Sequence, residues 1–475
     1  MLEKFFKLKE NNTTVKTEVI AGLATFMTMA YIIQLNPNIL TGFGFAGGSP
    51  GLWNAVFMAT ILSACIGTLL MGLMANKPFA LAPGMGLNSY FAIVVAGIVV
   101  TAGISYDEAF QAGLAIILIS GILFTVLTLL KIREKIVDAI PKSVRLGISA
   151  GIGLMLVYIG LSSNAGVYYG DSGQSQTMIG FFSDGASATS VAMGDAYKTL
   201  LLYIITFFIG LFAIVILNHK KVKGSILFGM IISAAVFWIG DFILGSNPFA
   251  SLKDASFVPP FADMFELTFF KFNFQSLFKI GALSAILTII TFCMVDMFDT
   301  IGTLIGTAKK ANMLDKDGNM PNMNNAMLSD SIATCVGACT GTSTVTTFIE
   351  SAAGVEEGGR TGLTSIVTSI CFLACMFVAP IAALIPAPAT SAALVFVGVL
   401  MISALKEVDY TDLASSVSVV LMLVFMMITS GIGNGIGIGL ISYSVIKIFT
   451  GKFKEVSILT LVLSLLFIGK FFIIF

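Results

Sequence analysis

The sequence predicts an all-α polytopic membrane protein with about fourteen transmembrane segments in a seven-plus-seven inverted repeat. Three observations carry the prediction. Of 475 residues, 57% are apolar and 11% charged, with a mean hydropathy of +0.97, whereas a soluble domain carries about 25% charged residues. Apolar runs of the length that crosses a bilayer, about 20 residues, recur along the whole chain. Two of these runs, the third of each half, are interrupted as no plain spanning helix is. The composition excludes a water-soluble enzyme, a nucleic-acid binder and a disordered chain. Lys+Arg and Asp+Glu balance at 26 each, so no overall field selects an anionic partner.

The runs fall at about 19–39, 51–75, 80–101, 108–130, 143–163, 196–218 and 222–245, then at about 279–308, 324–340, 343–355, 361–385, 389–405, 413–430 and 432–449. Residues 1–245 thus form the first repeat, 246–276 an extracellular connecting loop and 277–450 the second repeat. In the remaining 451–475, the apolar stretch Ser457–Phe475 reads equally as a further span or as an interfacial segment. The N-terminal residues are charged and lead into a full-length span, not into the short apolar core of a cleaved leader.

Basic residues set the orientation. With a cytoplasmic N-terminus (Lys4, Lys7, Lys9, Lys16), the inner loops hold Lys131, Arg133, Lys135, Lys142 and Arg145. They also hold Lys220, Lys221, Lys223, Lys309, Lys310, Lys316, Lys447, Lys452 and Lys454. The outer loop 164–195 has Asp171, Asp184 and Asp195 but no Lys or Arg. An odd number of spans per half makes the second half enter from the opposite side, which inverts the repeat.

The first interrupted segment is Leu81-Ala-Pro83-Gly84-Met-Gly86-Leu-Asn88-Ser-Tyr-Phe91. Pro83 forces Ala82 to be extended, and two glycines break a continuous helix. The second runs from Thr340 to Gly354, where five β-branched residues within 342–347 favour extended chain. Each reads as a short strand plus a half-helix. Interrupted spans at matching positions three and ten point to a transporter's binding site, because non-helical backbone at membrane depth must be covered by protein or line a cavity.

Intramembrane acids are costly and default to function. In the eighth span Asp296, Asp299, Thr300, Thr303 and Thr307 recur with helical spacing, which predicts one polar stripe. One buried Asp alone would read as a helix–helix hydrogen bond; two acids a turn apart on a polar stripe read as a ligand or ion site. Gly302 and Gly306 predict a close helix approach. Glu350 closes the second interrupted segment, and Asn88 occupies the matching place in the first. Together they make an acceptor-rich pocket suited to a neutral ligand rich in N–H groups, or to a cation.

Other signals are weaker. Gly42–Gly47 matches G-x-G-x-x-G without a βαβ context. Asp315-Lys-Asp-Gly318 lacks the later ligands of a calcium loop. The alternating glycines Gly431–Gly439 read as close helix packing or a hinge, and Asp330 and Asp241 as acids near span ends. The six cysteines, two pairs of them spaced i, i+4, read as small packing residues. His219 is the one histidine and sits among lysines, so proton chemistry falls to carboxylates.

These residues also carry a resemblance. Gly22–Tyr31 with Asn36-Pro37, Ala82–Asn88, Asp296–Thr303, Leu314–Asn319 and Ile349–Gly354 resemble the AzgA-like hypoxanthine/guanine/adenine permeases. That group lies within the nucleobase/ascorbate (xanthine/uracil permease) transporter superfamily, and the similarity covers nearly the whole chain. The resemblance implies a core domain from spans one to four and eight to eleven, and a gate domain from five to seven and twelve to fourteen. It implies binding positions at Gly86, Asn88, Asp296, Asp299 and Glu350, and proton-coupled uptake of a purine base by an elevator-like shift of the core.

The expected partners are therefore a small purine base, protons and the lipid of the cell membrane, with no cofactor, metal or nucleic acid, and with a homodimer as a candidate assembly. Asp296 is expected as direct ligand, Glu350 as second ligand and Asp299 as proton-linked partner, with the two aspartates interchangeable in these roles. Phe91 or Phe348 would sandwich the ring. The rival reading is a sulfate- or bicarbonate-type anion exchanger on the same scaffold, with the anion held at half-helix N-termini; three acids in the pocket oppose it. The sequence does not rank hypoxanthine, guanine and adenine.

Overall fold

The computed structural model describes residues 2–42, 48–49, 51–131, 140–161, 165, 167, 196–253, 256–310, 313, 320–429 and 431–472. Gly42–Gly47 beyond its first residue, Asp315–Gly318, the Leu314–Asn319 motif and the acids of the 164–195 loop lie outside them. Among the described residues eleven helices are long and apolar enough to cross a membrane, and Leu413–Thr429 and Ile458–Gly469 are shorter apolar helices. The chain is a multi-pass membrane protein.

The helices begin where polar caps meet apolar runs. Thr14 accepts from the Thr17 amide at the start of Val15–Met29, and Ser105 accepts from the Glu108 amide at the start of Tyr106–Leu129. The first run is not one rod: Val15–Met29 and Ile32–Gly42 are separate helices that meet at Ala30–Tyr31. Leu52–Leu70 ends in a π-helical turn, Met71–Ala75.

Both interrupted segments contain the expected strand. β1 (Leu81–Pro83) and β2 (Val345–Thr347) pair antiparallel, with Leu81 opposite Thr347, Ala82 opposite Thr346 and Pro83 opposite Val345. Backbone bonds from Gly84 to Thr344 (3.1 Å) and from Phe348 to Ala80 (3.0 Å) extend the pairing. A hydroxyl clamps the first residue of each strand. Thr68 Oγ1 accepts from the Leu81 amide (2.9 Å) and donates to its carbonyl (3.0 Å). Thr334 Oγ1 accepts from the Val345 amide (3.3 Å) and lies 3.2 Å from its carbonyl. Backbone that no helix satisfies thereby finds partners away from water. β1 leads into Met85–Ala102, β2 into a 3₁₀ turn, Ile349–Ser351, and a short helix, Ala352–Glu356.

Two crossings join the halves through backbone contact. A methyl group at Gly72 would sit 2.7 Å from the Gly362 carbonyl, and one at Gly153 would sit 2.6 Å from that of Gly398. The second crossing packs Lys142–Gly160 on Ala387–Ile402, which also contacts Ala196–His219 and Ser225–Ile243. Of the alternating glycines, Gly435 and Gly439 of Ile432–Phe449 let Met426 and Met422 of Leu413–Thr429 approach, while Gly433 faces Tyr90 and Gly437 faces Phe467; helix packing accounts for these four.

One expectation, the close helix approach at Gly302 and Gly306, needs correction. A methyl group at Gly302 or Gly306 would meet nothing within 4 Å, so none of the described helices packs there. The connecting segment carries three short helical turns, Ala250–Leu252, Phe261–Leu267 and Phe274–Leu277. Asn54 Nδ2 donates to Asp263 (2.7 Å) and the Phe270 amide to Cys339 (2.8 Å), which fasten it to the helix ends. The terminal apolar stretch forms a helix, Ile458–Phe472, antiparallel to Ile432–Phe449, with Ser444 facing Ser464 at 2.9 Å and Gly437 facing Phe467 and Phe471.

Candidate functional site

The polar stripe expected on the eighth span lies on Ala282–Lys310, a helix enclosed on more than one side. Its residues therefore divide. Asp299 and Thr303 face a cavity of about 550 Å³, whereas Asp296, Thr300 and Thr307 are fully buried away from it.

The cavity is lined by Tyr31, Gly86, Phe298, Asp299, Phe348 and Glu350 and by the apolar Ile152, Val397 and Met401, with Lys142, Arg145 and Glu407 also in the lining. Glu350 sits in the first turn after β2 and accepts from the Tyr31 hydroxyl at 2.9 Å. Asp299 lines the same cavity as Glu350. Two acids, three aromatic rings and these apolar side chains make a slot for a flat polar ring.

Met85–Ala102 begins with no side-chain cap, and its first intrahelical bond runs from the Asn88 amide to the Gly84 carbonyl. The amides of Met85, Gly86 and Leu87 precede that bond, and Gly84, Met85 and Gly86 line the cavity. Free helix N-terminal donors thus stand beside the carboxylate acceptors. Gly86 has a steric role too, because a methyl group there would collide with Ile152 Cγ2 on the facing helix.

The remaining candidates sit behind the wall. Asn88 is fully buried and joins the halves: its Nδ2 donates to Asn36 Oδ1 (2.6 Å), Ser343 donates to its Oδ1, and Asn36 Nδ2 donates to Thr60 (2.7 Å) and Thr342 (2.9 Å). Asp296 accepts from Thr334 Oγ1 at 2.8 Å and does not line the cavity. Of the two aromatic candidates, Phe348 lines the cavity, whereas Phe91 stacks edge-on against Phe110 (5.1 Å) in the core. The structure therefore brings Gly86, Asp299 and Glu350 to one cavity and sets Asn88 and Asp296 in polar layers beneath it.

Two residues were not read from the sequence as part of the site. Tyr31 appeared only inside a longer motif. Asp330 read as a span-end acid, yet it is fully buried within Met323–Thr340 and accepts from Thr300 (2.6 Å) and Thr347 (2.9 Å). The signal available was a shared pattern: Asp296 and Asp330 are each followed four residues later by a threonine, Thr300 and Thr334.

Many apolar spanning helices around a cavity that holds acids at membrane depth, with paired broken segments in its lining, define the class of membrane transport proteins. The family model Xan_ur_permease, described as Permease family, matches residues 16–438, and the chain belongs to that family. It is 37% identical to the adenine permease AdeP of Escherichia coli, over 99% of this chain and 96% of that one. It is 36% identical to the guanine/hypoxanthine permease PbuO of Bacillus subtilis, over 99% of this chain and 100% of that one. Among solved structures, the transmembrane domain of a cyanobacterial bicarbonate transporter, BicA, superposes with a TM-score of 0.61 at 16% identity, over 89% of this chain and 97% of that one. That likeness is one of fold.

Proposed function

We propose that this permease imports purine nucleobases by proton symport. The observation that carries the reading is the juxtaposition, in one 550 Å³ cavity, of the Glu350 and Asp299 acceptors, the Gly86 end of an uncapped helix and the rings of Phe348, Phe298 and Tyr31. A purine presents N–H donors and ring-nitrogen acceptors on its edges and two apolar faces. Glu350 and Asp299 take the N–H groups, the Met85–Gly86 amides offer donors to a ring nitrogen, and Phe348 covers a face. Asn88 and Asp296 support this wall from behind. Relatives named for adenine and for guanine/hypoxanthine support the substrate class.

The reading extends to the architecture. Fourteen segments in two inverted sets of seven are supported by the antiparallel β1–β2 pair and by the matching clamps of Thr68 on Leu81 and Thr334 on Val345. The core domain bears Glu350, Asp299 and Gly86; the gate domain bears Ile152 and Val397. An elevator motion slides the first past the second. Lys142 and Arg145 in the cavity lining belong to the basic side, so by the positive-inside rule the cavity opens to the cytoplasm of a cell whose plasma membrane holds the protein.

The fold neighbour is a bicarbonate transporter, but Asp299 and Glu350 at the proposed substrate position repel an anion. The test is uptake of radiolabelled hypoxanthine with adenine, guanine, uracil, bicarbonate and sulfate as competitors, repeated with a protonophore. Purines alone should compete, the protonophore should abolish accumulation, and Glu350→Gln should lose uptake. Displacement by bicarbonate or sulfate, or indifference to every purine, refutes the proposal.

A further inference from the structure

Beneath the cavity wall two acids from neighbouring helices brace one another. Thr300, four residues after Asp296, donates to Asp330 Oδ2 at 2.6 Å; Thr334, four residues after Asp330, donates to Asp296 Oδ2 at 2.8 Å. Each helix gives the other one carboxylate and one hydroxyl. Thr347 of β2 donates to Asp330 Oδ1 at 2.9 Å, and Thr346 of β2 lies 3.0 Å from Thr300. Three of the four carboxylate oxygens therefore accept a hydroxyl hydrogen. The fourth, Asp296 Oδ1, is buried without a hydrogen-bond partner.

Among the described residues no ion pair reaches either acid. The ionisable groups that face the pair are Asp299 and the thiols of Cys293 and Cys335, none of them cationic. Two acids braced through each other's hydroxyls in a dry interior repel when both are ionised, so one proton shared between them relieves that repulsion. The vacant Asp296 oxygen is where one proton enters while every existing hydroxyl bond is kept.

We propose that the Asp296–Asp330 pair is the coupling-proton site, holding one proton at Asp296 Oδ1 outside the substrate cavity. The link to substrate is β2: Thr347 donates to Asp330, Thr346 meets the Thr300 that braces Asp330, and Glu350 follows three residues after Thr347 in the cavity lining. Loading the pair removes one of the two negative charges behind β2 and sets the wall that meets the base. Asp299, already in the cavity, is left to act on substrate.

The inference rests on the proposed purine symport, and its test separates the two. Purified protein in liposomes is assayed for purine counterflow, which needs binding and movement but no gradient, and for accumulation driven by a pH gradient. One proton per base across one pH unit supports about tenfold accumulation by the wild type. Asp330→Asn should bring the base only to equal concentration on both sides while counterflow continues. Glu350→Gln should abolish both.

If the wild type shows no purine counterflow, the functional reading falls. If it accumulates and Asp330→Asn accumulates as well, the proton site is overturned and the symport stands. Accumulation driven by a sodium gradient without a pH gradient also overturns the site as a proton carrier. Should Asp330→Asn fail to fold, Asp296→Asn puts an amide where the proton would sit. Purine affinity should then become independent of pH, and an affinity that still follows pH as in the wild type overturns the inference.

Discussion

Gly86 offers a sharp test of how the cavity walls work. A methyl group there would collide with Ile152 Cγ2, a β-branch methyl with no freedom to swing aside. Ile152 is itself nearly buried, at 3% exposure, so the helix Lys142–Gly160 must give way. Overpacking of this kind costs about 1–3 kcal/mol. In a protein that alternates between two arrangements the whole cost falls on the state in which Gly86 and Ile152 touch, so that state loses about 5–150-fold in population relative to the other. Gly86→Ala should accordingly slow purine counterflow in liposomes without unfolding the protein. Ile152→Leu, which keeps the volume and removes the offending branch, should restore it in the double variant. If Gly86 instead matters only because the substrate needs its backbone bare, relieving Ile152 changes nothing. A double variant as slow as Gly86→Ala refutes the steric account.

Three further outcomes follow from the geometry. Tyr31→Phe removes one donor from the Glu350 carboxylate; a hydrogen bond to a charged group is worth about 1.5–3 kcal/mol, and because Glu350 is partly open to the cavity the lower end applies, so KM for the base should rise about tenfold, and an unchanged KM counts against an orienting role. Gly306→Ala should leave the thermal midpoint unchanged or raise it, gaining up to about 1 kcal/mol of helix propensity in open space, whereas Gly72→Ala should lower it sharply because its methyl meets the Gly362 carbonyl. At Asp412, burial raises the carboxyl, but bonds from Ser415 and Lys447 outweigh it and hold the group below the usual range. Its stabilisation is therefore complete above the ordinary value of about 3.9 and lost only as pH falls through the lowered one. Melting in detergent should be unaffected by this group from neutral pH down to about 4, and Asp412→Asn should remove part of the loss seen below it.

The spans were legible because crossing a bilayer imposes a length and composition that no other element shares, and the breaks were legible because Pro83 and the β-branched run at 342–347 are hostile to helix. The partnership of β1 with β2 was not, since two three-residue strands far apart in sequence hold no local signal of register. The polar stripe of 296–307 misled for a related reason. Helical periodicity places residues on a face but not which neighbour meets that face, and on a helix enclosed by others the stripe was wide enough to serve two: Asp299 and Thr303 the cavity, Asp296 and Thr300 the helix of Asp330.

The glycines teach the same lesson. Gly302 and Gly306 have the spacing of a close crossing and no partner among the described residues, while Gly153 and Gly398, with no special spacing between them, meet backbone to backbone. Composition along one segment states what a surface could accept, and only the opposing segment decides what it does accept. An acid pair is thus best sought as a reciprocal pattern, a donor on each helix at the distance of one turn from its acid. That pattern, written twice as Asp-x-x-x-Thr, was the one trace of the Asp296–Asp330 brace available before the helices were assembled.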